Sequence, residues 1–243
     1  MSQVVIVTGG AGGIGAPICR ALAQDGMKVI VADFAEGAGN SLAEEIAGQG
    51  GAALFQKVDV GDKASVARMV EKTLEHYSRI DFLINGAGVI SRASVREMAE
   101  EDWDRVLRVN LKGTFLCSQA AARHMAGRKS GRIICLASGR GVVGQPRAAH
   151  YAASKAGVIA FVKSLAVELA PDNVLVNAIA PGATDTAMSR SGSTEEEWQK
   201  RATVPPLMGG LTTKEEIVGL VRYLLSEPAQ HITGQTFFLR TPK

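Results

Sequence analysis

The sequence predicts an α/β fold: a doubly wound, mainly parallel sheet with helices on both faces. Three observations predict it. Short apolar runs rich in β-branched residues alternate with helical stretches about seven times, the pattern of parallel strands joined by right-handed crossovers. A glycine-rich segment follows the first run and opens a helix. No Pro/Gly/Ser-rich linker divides the 243 residues, so residues 1–243 are expected to form one domain.

The first run, Val4 to Val7, is apolar throughout. That suits a strand covered on both faces. Ile14, Ile18, Ala21 and Leu22 then recur at helical spacing. A second run, 29–32, ends at Asp33. The same reading places strands at 53–58, 82–85, 131–136, 175–179 and 235–239. It places helices at 41–47, 65–76, 101–126, 151–169 and 215–226. Two stretches, 138–150 and 181–212, carry no clear period. Both follow strands, so both belong at the carboxyl edge of the sheet, where ligands bind in open α/β folds.

Composition removes several classes. Hydrophobic residues make up 46% and charged residues 21%, which excludes a disordered chain. A net charge of +3 is too small to point to nucleic acid. No run approaches the ~20 apolar residues that span a bilayer, and no basic segment precedes the first apolar run as a signal peptide requires. Cys19, Cys117 and Cys135 are far apart and odd in number. They suggest neither zinc nor a disulfide framework. The histidines have no metal-ligand spacing. A cytoplasmic protein without a metal is expected.

The chemistry-bearing residues fall at the ends of the strands. Gly9, Gly12, Gly13, Ile14 and Gly15 lie between the first strand and first helix. Glycines there let the backbone approach a pyrophosphate, and the helix start presents free N–H groups to it. Asp33 is placed to accept hydrogen bonds from ribose hydroxyls and to repel a 2′-phosphate, which favours NAD over NADP. The plainer role for Asp33 is to cap the next helix. Tyr151 and Lys155 are one helical turn apart. An ammonium beside a phenol lowers its pKa and makes it an acid/base near neutral pH. Ser138 lies at the same edge. Asn110 sits inside a helix and needs buried partners.

Taken together, these motifs resemble the short-chain dehydrogenase/reductase family nearly end to end. Thr8-Gly9-x-x-x-Gly13-x-Gly15 is similar to its cofactor loop. Asp59-Val60 resembles the pair bordering the adenine, and Asn85-Gly86-Ala87-Gly88 its Asn-Asn/Ala-Ala-Gly turn. Asn110, Ser138, Tyr151 and Lys155 match the catalytic tetrad. Pro181-Gly182-Ala183-Thr184-Asp185-Thr186 resembles the segment holding the nicotinamide carboxamide. The resemblance implies a Rossmann fold with Tyr151 as acid/base, Ser138 polarising the substrate oxygen, and Asn110 holding a water. Lys155 would lower the tyrosine pKa and bind the ribose. It also implies cofactor contacts by Phe34, Thr184 and Thr186, and assembly as a homotetramer or homodimer. The sequence departs from the family at Gly86, at Ala137, and in its ending Leu239-Arg240-Thr241-Pro242-Lys243. The last departure bears on subunit packing.

The expected activity is an NAD-dependent dehydrogenase or reductase of a small to medium secondary alcohol or ketone. The alternatives are a 3-oxoacyl-thioester reductase (acyl carrier protein or coenzyme A) and a non-catalytic dinucleotide sensor. Substrate contacts are expected from the loops at 88–95, 139–150 and 183–210, with Arg140, Gln145, Arg147 and Arg190 as candidates. An arginine there would pair with an anionic substrate. His150 lies in the same loops. Trp198 and Met208 fall in a stretch long enough to be a lid. A basic group, Arg123, His124, Arg128, Lys129 and Arg132, could meet an acyl carrier, or simply favour a helix end.

Overall fold

The structure is a computed structural model that describes residues 2–191, 194–203 and 211–240. Its strands are β1 (Val4–Thr8), β2 (Lys28–Asp33), β3 (Ala52–Lys57), β4 (Phe82–Asn85), β5 (Gly131–Leu136), β6 (Val174–Pro181) and β7 (Thr236–Leu239). They form one seven-stranded sheet in the order β3-β2-β1-β4-β5-β6-β7. Every neighbouring pair is parallel. The chain builds outward from β1 to β3, returns to the other side of β1, and builds outward again. Thr8 and Asn85 pair at that reversal. The loops leaving the two strands diverge there and open a crevice.

The helices are α1 (Gly15–Gln24), α2 (Glu36–Gly48), α3 (Lys63–Tyr77), α4 (Glu100–Leu107), α5 (Gly113–Gly127), α6 (Arg140–Val143), α7 (Ala149–Leu169), α8 (Ala187–Arg190), α9 (Glu195–Thr203) and α10 (Lys214–Leu225). Side chains alternate across the sheet. Ile6 faces a core layer with Val66, Met69, Leu116, Val158 and Val162 of α3, α5 and α7. Val5 and Val7 face the other layer, with Ile18, Leu22, Ile46, Ile217 and Val221 of α1, α2 and α10. Each fully buried aliphatic side chain contributes roughly 1.5–3 kcal/mol. This is why the run at 4–7 is apolar at every position.

Three differences from the sequence expectation bear on the site. The helix expected over 101–126 is broken by a π-helical turn, Arg108–Lys112, between α4 and α5. Such widened turns recur at functional sites, and this one carries Asn110. The stretch 138–150 contains α6, and α7 starts two residues before Tyr151. The stretch 181–212 contains α8 and α9. Thr186 caps α8, accepting from the Ser189 N–H while the Ser189 hydroxyl bonds back. Trp198 is buried. Met208, most of 204–212 and the last three residues lie outside the described residues. Among the described residues no helix is long and apolar enough to cross a membrane, and no His/Cys/Asp/Glu group could hold a metal. All three cysteines are free and buried.

Candidate active site

The glycines line the crevice because nothing larger fits. Gly9 has a positive φ of 66°, and a Cβ on it would lie 2.7 Å from the Ala87 backbone nitrogen. A Cβ on Gly15 would lie 2.0 Å from the Gly9 carbonyl, and one on Gly86 2.8 Å from the Thr8 carbonyl. Gly13 faces Thr186, whose methyl would be 2.8 Å from a Cβ there. The β1 loop and the segment after β6 therefore meet across the crevice. Helix α1 has no side-chain cap at Ile14; Ala16 donates to the Gly12 carbonyl and Pro17 has no N–H, which leaves the Gly15 N–H at the helix start to meet an anion. Gly12 closes the loop by donating to the Gly9 carbonyl at 3.0 Å. The Thr8 hydroxyl accepts from the Gly86 and Ala87 N–H groups. This close-backbone cradle fits a dinucleotide pyrophosphate.

Asp33 ties the glycine loop to the turn after β2, and α2 itself has no side-chain cap. One carboxylate oxygen accepts from the Ala11 N–H at 3.0 Å, and the other from the Ala35 N–H at 2.9 Å, before α2. Phe34 beside Asp33 is 70% exposed, a bare ring at the crevice rim. Lys57 pairs with Asp33 in strand register, but its ammonium binds Glu36 at 2.9 Å. Asp59 pairs with Arg108 of the π turn at 2.9 Å, and Val60 is buried against Gly113. The Asn85 side chain does not face the crevice. It is buried and donates to Ser118 and Cys135. Gly88 does face it, close to Asn110 and Lys155. Pro181, Gly182 and Thr184 follow β6, and Gly182 donates its N–H to the Leu239 carbonyl at 2.9 Å.

The four tetrad candidates converge at the ends of β4 and β5. Asn110 is wholly buried. Its carbonyl oxygen accepts from the Val89 N–H at 2.8 Å, and its amide donates to the Val89 carbonyl and the Ser154 hydroxyl. Ser154 in turn donates to the Tyr151 carbonyl at 2.7 Å. Asn110 thus ties the loop after β4 to the first turn of α7. Ser138 is buried, and its oxygen accepts from the Arg140 N–H at 3.2 Å. Lys155 donates to the Leu136 carbonyl at 2.7 Å and lies 5.7 Å from the Tyr151 ring centroid.

The electrostatics differ from the expectation. Lys155 was expected to lower the tyrosine pKa. Burial instead raises the Tyr151 phenol above its ordinary value, opposed first by hydrogen bonding to Ser138 and then by the charges of Arg140 and Arg92. The physical reason is direction: the ammonium is aimed at a backbone carbonyl. Burial pushes Lys155 itself down to about 8.

The substrate candidates separate. Arg140 begins α6, beside Ser138, and its charge reaches Tyr151. Gln145 is half-buried and donates to the Pro146 carbonyl. Arg147 is exposed with φ of 60°, and its carbonyl accepts from the Ala93 N–H. Arg190 is corrected as an anion site. It forks onto Asp185 at 2.6 and 2.8 Å, reaches Glu195 at 3.0 Å, and stacks on Trp198. Two carboxylates already answer its charge. Arg92, which sequence reasoning passed over, influences Tyr151 and donates to the Ser191 carbonyl at 2.9 Å. Its position within 88–95 was the available signal.

Three members of the basic group have partners within the fold. Arg128 binds Asp81 and the Ile80 carbonyl, Lys129 pairs with Asp172, and Arg132 donates to the Leu224 and Ser226 carbonyls. These residues sit where strands begin, on the edge opposite the crevice.

Residues 3–197 match the family model described as short chain dehydrogenase. The chain is 41% identical to a 3-oxoacyl-[acyl-carrier-protein] reductase of Synechocystis, over 97% of this chain and 94% of that protein. It is 35% identical to a cyclopentanol dehydrogenase of Comamonas, over 96% and 93%. The crystal structure of an NAD+-bound xylitol dehydrogenase superposes with a TM-score of 0.91 at 30% identity, over 99% of this chain and 98% of that one.

Proposed function

This chain belongs to the short-chain dehydrogenase family of oxidoreductases, and from that premise we propose that it reduces the ketone of a 3-oxoacyl thioester using a nicotinamide dinucleotide. The observation that carries the chemistry is the convergence of Ser138, Tyr151, Lys155 and Asn110 beside the glycine crevice. What supports the substrate is the likeness to the Synechocystis reductase along nearly the whole chain.

The bound nicotinamide would supply the hydride. The protein's residues act on the oxygen. Ser138 and Tyr151 hold it with two hydroxyls, and Tyr151 gives its proton as the ketone becomes an alcohol. Lys155 binds the nearby ribose, and Asn110 holds the start of α7 in register. Gly9, Gly13 and Gly15 admit the pyrophosphate, Phe34, Asp59 and Val60 border the adenine, and Thr186 with Pro181 and Gly182 meets the carboxamide. Asp33 accepts from the ribose hydroxyls and sets a preference for NAD(H).

A second reading is an NAD-dependent dehydrogenase of neutral secondary alcohols. Asp33 fits it equally, with no Lys or Arg in the glycine loop or directly after it. The likeness to the Comamonas enzyme supports it too. The complete tetrad speaks against a dinucleotide sensor without activity. The reading includes a cytoplasmic homotetramer or homodimer, acting on small molecules and on neither nucleic acid nor membrane. A sizing measurement tests the assembly.

One panel tests both substrate readings: acetoacetyl-CoA and cyclopentanone, each with NADH and NADPH, followed by absorbance. The expected result is faster turnover of acetoacetyl-CoA, with NADH preferred. A higher kcat/KM for cyclopentanone selects the second reading. Asp33→Ala should relax the bar against NADPH, and a wild-type preference for NADPH removes the role given to Asp33.

A further inference from the structure

His150 precedes the proposed proton donor and has no part in the mechanism above. It is completely buried in the first turn of α7. Both ring nitrogens are engaged. Nδ1 accepts from the backbone N–H of Tyr151 at 2.9 Å, and Nε2 lies 2.7 Å from the Ser91 hydroxyl. The bond from the Tyr151 N–H is what assigns the tautomer; the Ala148 carbonyl, which also reaches the ring, would favour the other. A nitrogen that accepts from an N–H carries no proton, so the neutral ring carries its proton on Nε2 and donates to Ser91. Near Ser91 lies Asp102 of α4, which is paired with Arg105 at 2.9 Å and held below its ordinary pKa first by Arg105 and more weakly by Ser91.

The helix needs this bond. The first-turn N–H groups of a helix have no partner within it, and Ala148 at the N-cap of α7 offers no side chain. His150 supplies the missing acceptor at Tyr151. Through Ser91 it also joins α7 to the loop after β4. That loop is fastened to Asn110 at Val89, to the Ser191 carbonyl by Arg92, and to the Arg147 carbonyl by the Ala93 N–H. His150 is the buried pin between two walls of the crevice.

We infer that His150 is a positioning residue whose neutral Nε2–H form holds Tyr151 and the Ser91 loop in place, and whose protonation releases them. This rests on the reading of Tyr151 as proton donor. An imidazolium has two donors and no acceptor. Protonation would set an Nδ1–H against the Tyr151 N–H and turn it toward the Ala148 carbonyl. Burial keeps the imidazole below its ordinary pKa. The Ala148 carbonyl and Asp102 of α4 oppose that, and Arg105 of α4 adds to it. The positive end of α7 acts in the same direction as burial. Ser91, from the loop after β4, brings no charge.

The test compares wild type with His150→Asn and His150→Leu. In wild type kcat should fall on the acid side, with a midpoint below the ordinary histidine value of about 6.5. His150→Asn keeps an acceptor that does not titrate, so its acid limb should move down by about a unit or more. His150→Leu should lose about tenfold in kcat at every pH with the KM for dinucleotide unchanged. In ligand-free wild type, nitrogen NMR should show the Nε2–H tautomer. Hydrogen exchange should show protection of the Tyr151 amide that is lost below the same midpoint.

An acid limb unmoved in His150→Asn, or an Nδ1–H tautomer, overturns the inference. A merely structural histidine would lower stability in both variants and leave the limb in place. If no substrate in the panel is turned over, the functional reading fails. The tautomer and the Tyr151 amide still decide this one.

Discussion

The two edges of the sheet treat buried charge in opposite ways. At the amino edge, Asp81 is buried just before β4. It accepts from the Val4 N–H at 2.8 Å, from Arg79 at 2.6 and 2.8 Å, and from Arg128 at 3.2 Å. Burial would raise its pKa, but Arg79, the Val4 N–H and Arg128 together hold the carboxyl below its ordinary value. At the carboxyl edge, Lys155 is equally buried and its hydrogen-bond partner is a backbone carbonyl. Burial wins there, and the amine is pushed down to about 8. A buried charge given an opposite charge holds the fold together. One given only a dipole becomes titratable near neutral pH, which is what a proton-transfer site needs.

The largest expected effect breaks the carboxyl edge. Tyr151→Phe removes the proton donor and should lower kcat by about 10²–10⁴-fold. Dinucleotide affinity, read by fluorescence titration, and the thermal midpoint should hardly change. Turnover near the wild-type rate would mean that the proton comes from another group.

The amino edge should fail in the converse way. Asp81→Asn leaves two arginines facing a neutral amide, and breaking a buried ion pair costs about 3–5 kcal/mol. Both arginines are partly exposed, with side chains 26% and 30% accessible, so solvent screening places the expected loss at the lower end, about 3 kcal/mol. Urea denaturation reads it. The kcat of the folded protein should be unchanged, because Asp81 lies across the sheet from the tetrad. A fall in kcat without a fall in stability would show that the edges are coupled.

The same contrast explains what was legible in the sequence. Strands β1 and β2 were legible because burial on both faces demands an unbroken apolar run, as at Val4 to Val7. The glycine loop was legible because close backbone approach excludes every other residue at Gly9 and Gly15. The π turn was not. Asn110 between Val109 and Leu111 reads as ordinary helix, and five residues cannot distinguish a wide turn from a normal one. Arg190 was misread because its partners, Asp185 and Glu195, lie five residues away on either side, outside helical pairing distance. The partners of the arginines at the amino edge were not legible, because Asp81 and the Leu224 carbonyl of α10 are brought to them only by tertiary packing. Residue types announce chemistry, but the direction of a long side chain is decided by tertiary neighbours. Lys155 aimed at Leu136 is the same lesson at the site.

The smallest effect tests Lys155 directly through linkage. Its folded pKa of about 8 lies below the value of about 10.4 for an unfolded lysine. Below pH 8 both states hold the proton, and the folded chain bears the whole burden of a buried ammonium. Between these values the unfolded chain binds more protons, so stability rises with pH. The rise is at most about 1.4 kcal/mol per pH unit. Tyr151 acts in the opposite sense at higher pH, because a raised phenol pKa makes stability fall as pH climbs through that range. The clean measurement is therefore urea denaturation from pH 7.5 to 9.5 in the Tyr151→Phe background, with and without Lys155→Met. The chain retaining Lys155 should gain stability across the window relative to the chain with methionine. Parallel curves would mean that the ammonium keeps its ordinary pKa, and the contrast between the edges would then lie in geometry alone.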